Sequence, residues 1–78
     1  MNLEITRHAK MRMERRGVTM DDVRSVINNH FMTLPGENGS TVYHGRVRDV
    51  EVICVAGIVK SGDSSTLVIK TAWKREQP

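Results

Sequence analysis

The 78-residue sequence is short of several residue types, and each shortage removes a class of protein. With one cysteine, Cys54, no internal disulfide can staple the chain. The flanking Ile53 and Val55 place that thiol in an apolar strand rather than an electropositive pocket, so it reads as a small core residue. Three aromatics, Phe31, Tyr43 and Trp73, are too few for the stacking platform of a single-strand binder, and Trp73 is expected to anchor the core at a strand end. No apolar run approaches the roughly 18 residues of a membrane helix, which argues against a membrane partner. The opening Met-Asn-Leu-Glu-Ile lacks the basic and then apolar pattern of a secretory signal, so the expected compartment is the cytoplasm. His8, His30 and His44 stand far apart, and neither a His-x-x-x-His nor a Cys-x-x-Cys pair occurs. No glycine-rich phosphate loop is present either, so neither metal nor cofactor is expected.

What remains is the composition of one globular domain, residues 1–78, with 38% hydrophobic and 27% charged residues. Its net charge of +3 is mild, but the charge is unevenly spread. Residues 7–16 carry Arg7, Lys10, Arg12, Arg15 and Arg16 against Glu14 alone, a balance of +4. Residues 17–40 carry Arg24 against Asp21, Asp22 and Glu37, a balance of −2. Lys70, Lys74 and Arg75 against Glu76 make the tail basic again. A phosphate-bearing partner fits this asymmetry, and so do two solvated basic faces without a ligand.

Two helices come first. Thr6 is a candidate N-cap, and Ala9 and Met13 extend the spacing of four begun by Ile5, which predicts a helix over about 7–16 ended by Gly17 in a left-handed cap. Thr19 with Asp22 three residues on resembles a capping box, and Val18 can staple to Val23. Met20, Val23, Val26 and Ile27 then make an apolar stripe to about Asn29. Beyond it the period falls to two. Strands are expected at Phe31–Leu34 on an edge, at Thr41–Arg48, at Val50–Val59 in the centre and at Thr66–Trp73. The fold class is therefore α+β: two N-terminal helices packed on one face of a four-stranded antiparallel sheet, in the order α-α-β-β-β-β. Strict alternation in the last strand puts Leu67, Ile69, Thr71 and Trp73 on the core face, and separates Thr71 from Lys70 unless a bulge intervenes.

One constellation can carry chemistry. His8, Arg12 and either Arg15 or Arg16 share a helical face, presenting an imidazole and two guanidiniums. An imidazole moves protons near neutrality, and a guanidinium grips phosphoryl oxygens through paired hydrogen bonds. These are two parts of metal-independent RNA cleavage, in which a 2′-hydroxyl attacks its own phosphate. Tyr43 and Thr71 are the candidate polar partners from the sheet, with Arg16 and Lys74 as candidate RNA contacts. The same arginines also serve as an ordinary solvated helix face.

The run Thr6-Arg7-His8-Ala9-Lys10-Met11-Arg12-Met13-Glu14-Arg15-Arg16-Gly17-Val18-Thr19 resembles the opening His-Ala-x-x-Arg-Met-x-x-Arg-Gly-Ile-[Ser/Thr] motif of a family of small bacterial, archaeal and phage proteins of unknown function. Pro35-Gly36-Glu37-Asn38-Gly39, Thr41-Val42-Tyr43 and Val68-Ile69-Lys70-Thr71-Ala72-Trp73 look like its glycine turn, tyrosine strand and closing strand. The layout is similar to that of the BrnT and RelE ribonuclease toxins. The resemblance implies a toxin-like endoribonuclease neutralised by an antitoxin protein, with the motif falling on His8, Arg12, Arg16, Tyr43 and Thr71. Two further readings stand beside it: a non-catalytic module, such as a phage or mobile-element regulator, that engages protein or RNA, and a DNA reader. The last is disfavoured by Asp21 and Asp22 at the start of the second helix, where phosphates would have to approach.

Overall fold

The computed structural model describes residues 1–48 and 51–75. Strand β1 (Asn2–Ile5) leads into helix α1 (Arg7–Arg16) and helix α2 (Met20–Asn28). Strands β2 (His30–Pro35), β3 (Thr41–Val47), β4 (Glu51–Lys60) and β5 (Asp63–Lys74) follow. Of the expected segments, Val50 lies outside the described residues. The sheet order is β1-β5-β4-β3-β2, with β2 to β5 an antiparallel meander and β1 parallel to β5. Among the described residues the sheet therefore has five strands and mixed pairing, not four antiparallel ones. Asn2–Ile5 escapes a sequence reading because four residues show two alternations at most, and Ile5 also fits the helical stripe that follows it.

Both helices form where their caps predict. Thr6 Oγ1 accepts from the Ala9 amide at 3.0 Å, and Gly17 takes φ 70° at the C-cap. Thr19 and Asp22 exchange side-chain and backbone hydrogen bonds, each 3.1 Å, in a complete capping box. Val23 and Val26 from α2, with Ala9 and Met13 from α1, are buried on the sheet side. Met13, Val23 and Val26 form one core cluster with Ile53 and Val55 of β4 and Leu67, Ile69 and Ala72 of β5. Each of these Val, Ile, Leu and Met side chains contributes roughly 1.5–3 kcal/mol through removal from water. Gly45 of β3 lets α2 approach, since a Cβ there would lie 2.9 Å from the Cα of Val26.

The opposite face of the sheet is covered by neither α1 nor α2. It displays Val42, His44 and Arg46 of β3 and Val52, Cys54, Ala56 and Ile58 of β4, alternating with the core-facing set. Val52, Ile53, Cys54 and Val55 are all buried, as a central strand requires.

The alternation in β5 breaks at Lys70. Thr71 registers with Ala56 and Ile69 with Gly57, so Lys70 is an extra residue on β5, a β-bulge. Before it Leu67 and Ile69 face the helices; after it Ala72 takes that side and is fully buried. Thr71 and Trp73, expected on the core face, turn instead to the open face, where they register with Ala56 and Cys54.

Candidate functional site

Helix α1 lies beside the part of β5 that β1 does not cover, because the β1 pairing ends at Ile5 opposite Ile69. From Lys70 onward that margin of β5 is bordered by α1. Arg16, in the last turn of α1, uses it: its Nη1 donates to Thr71 Oγ1 at 3.0 Å and to the Ala72 carbonyl at 3.2 Å. His8 and Arg12 precede Arg16 by two turns and one turn of the helix, so the three point to the same flank. All three are exposed. Among the described residues, the side chains of His8, Arg12 and Arg15 make no hydrogen bond or ion pair. The α1 flank is thus a cationic strip with one end fixed to the sheet.

Lys74 occupies the far end of β5. Its ammonium approaches the Gly17 cap, reaching within 3.6 Å of the position a Cβ would take there, and it pairs with Glu51 at 3.5 Å. A cation at that place favours the C-terminus of α1. Tyr43 is elsewhere. It registers with Val55 on the helix-covered face, partly buried against the core, and its ring meets His30 edge-on at 5.1 Å between centroids. Thr71 opens on the other face, so the structure joins Arg16 to Thr71 and sets Tyr43 apart from them.

The bulge assembles a feature that alternation alone hides. Lys70, Thr71 and Trp73 line one side of an open-face cavity of ≈ 420 Å³. Val42, Ala56 and Ile58 form its floor, and the turn Gly36–Ser40 closes the other side. Asn38 holds φ 56° in that turn, and Ser40 Oγ donates to the Glu37 carbonyl at 2.7 Å. The cavity offers an indole wall, an ammonium and a hydroxyl over an apolar floor. Lys70 and Trp73 were absent from the sequence-derived site because nothing in residues 66–73 announces the extra residue.

Two polar pairs anchor the surroundings. Asp22 is buried, and although burial raises its pKa, hydrogen bonds from the Thr19 amide and from Arg48 outweigh it and hold the carboxyl below its usual range. Arg48 donates to it at 2.9 Å from a backbone of φ 51°. On the open face His44 Nδ1 stands 3.3 Å from Cys54 Sγ. Burial pushes the imidazole pKa down and the thiol pKa up, and the nearby Arg75 charge lowers both, so the two meet as neutral groups. Among the described residues no group of three or more His, Cys, Asp or Glu side chains is placed to hold a metal ion. Nor is any helix long and apolar enough to cross a membrane. No model of a known protein family matches the chain, and no curated protein matches it.

Proposed function

We propose that this chain is a metal-independent endoribonuclease of the BrnT and RelE toxin type, binding RNA along the α1 flank. The observation that carries the reading is the Arg16–Thr71 contact, which fixes one end of the exposed strip of His8, Arg12 and Arg16 against a polar sheet margin. RNA phosphates lie along the strip, with Arg16 and Lys74 holding the backbone. Arg12 grips the nonbridging oxygens of the scissile phosphate, where charge grows as the bond breaks. His8, one turn away, exchanges the proton: the 2′-hydroxyl gives up its proton, its oxygen attacks phosphorus, and the 5′-oxygen leaves protonated. Thr71, held by Arg16, orients the nucleotide. An antitoxin protein neutralises the enzyme by covering the strip, and the cytoplasm is where it meets RNA. The test is incubation of the purified chain with labelled RNA in EDTA, with 2′,3′-cyclic phosphate ends as the expected products.

A specific observation favours a second reading, a binding module without catalysis. Tyr43, the other polar side chain the mechanism would use, lies on the helix-covered face. The strip then holds RNA or an acidic protein and does no chemistry. Retention of intact RNA with no cyclic-phosphate product identifies that case.

A further inference from the structure

We infer that the groove between β1 and the joint of α1 and α2 is a docking site for an extended, acidic segment of a partner protein, which adds a strand to the free edge of β1. Strand β1 pairs only with β5, so among the described residues its outer edge offers unpaired backbone N–H and C=O groups. Beside that edge runs a groove of ≈ 570 Å³. It exists because β1 is four residues long and α1 leaves it to cover β5, so the helix-side faces of Leu3 and Ile5 remain half-covered. Met13, Val18 and Met20 complete an apolar floor. A strand laid along β1 would send alternate side chains into this floor, the geometry by which sheet edges recognise peptides.

The charge at the rim identifies the occupant. Arg7 and Lys10 stand over the groove, and among the described residues their side chains make no hydrogen bond or ion pair. Glu14 is the one acid among the lining residues. A segment carrying a large aliphatic side chain with Asp or Glu nearby satisfies both the floor and the cations. A second copy of the chain supplies less. The acid on its own β1 strand, Glu4, is already held by Lys60 at 2.8 Å.

This site does not depend on the RNA reading. Lys10 and Arg12 differ by two positions, about 160° around the helix, so the groove and the strip occupy different flanks of α1. The experiment is selection from a library of displayed random dodecapeptides against the intact chain, followed by anisotropy titration of the resynthesised consensus. The expected consensus alternates aliphatic residues and contains Asp or Glu. Its affinity falls at least tenfold in the surface variant Arg7→Glu/Lys10→Glu and is unchanged in Arg12→Ala, and amide exchange slows in β1 on binding. A library that yields no enrichment, a consensus without acidic residues, or binding insensitive to Arg7→Glu/Lys10→Glu overturns the inference. So does a chain that is dimeric without peptide and already has protected β1 amides, since the edge then belongs to a second copy. Loss of RNA binding with the peptide consensus intact removes the RNA reading and leaves this one standing.

Discussion

Arg16 and Thr71, 55 positions apart in sequence, meet through a 3.0 Å hydrogen bond from guanidinium to hydroxyl, and this contact ties the cationic flank of α1 to the bulged segment of β5. The pair is surface-exposed, so its worth is modest. A double-mutant cycle with Arg16→Ala and Thr71→Val should return a coupling of about 0.5–1.5 kcal/mol in urea unfolding. Strictly additive effects of the two substitutions would mean that the contact contributes nothing to the positioning of α1.

Acid should weaken the fold through Asp22. Its folded pKa lies below the unfolded one, so its stabilisation is present in full above the unfolded value of about 3.9 and is lost as pH falls through the folded value. Asp22→Asn should cost roughly 1–3 kcal/mol at pH 7, by weakening the capping box and leaving Arg48 only its longer, 3.5 Å contact with Glu51. The variant should also flatten the dependence of stability on pH below about 4. Parallel pH curves for wild type and Asp22→Asn, measured by chemical unfolding, would contradict the assignment.

Two glycine substitutions should destabilise for different reasons. Gly17→Ala meets only ordinary van der Waals contact with the Lys74 side chain, Nζ at 3.6 Å, and its cost of about 1 kcal/mol comes from a left-handed backbone at φ 70°. Gly45→Ala meets the Val26 backbone at 2.9 Å and must push α2 from the sheet, costing about 1–3 kcal/mol. Asn at position 17, which tolerates that backbone, should recover part of the loss there. No residue larger than glycine should be neutral at position 45. Equal stability of Gly45→Ala and wild type in thermal melts would show that the helix does not pack as described.

The helices were legible because caps are local: Thr6, Gly17, Thr19 and Asp22 announce their roles within three or four residues. The central strand was legible because Val52 to Val55 form an unbroken apolar run. Strand β1 was not, since four residues cannot display a period and its partner β5 lies some sixty residues later. The bulge at Lys70 was equally silent, because an extra residue changes no residue type and shifts only the face to which Thr71, Ala72 and Trp73 point. Hence the cationic strip of His8, Arg12 and Arg16, which is one helical face, could be read from spacing alone. The open-face cavity and the separation of Tyr43 from Thr71 depend on long-range register and could not.

Salt should weaken RNA binding steeply if the α1 strip carries it. With three to five phosphate contacts, the slope of log affinity against log salt for single-stranded RNA should be about −2 to −3.5. Arg12→Ala should reduce its magnitude by about 0.7. A slope near zero in a filter-binding series would place any binding on uncharged contacts instead.

The most direct test of the RNA reading is the rate of RNA cleavage in EDTA by wild type, Arg12→Ala and the His8→Ala/Arg12→Ala double variant. Arg12 is exposed and should leave folding unchanged while its loss lowers the rate by roughly 100-fold, through removal of charge stabilisation on the phosphoryl oxygens. The account predicts cyclic-phosphate products from wild type and essentially none from the double variant. Equal cleavage by the wild type and the double variant, or no cleavage by either, would contradict it.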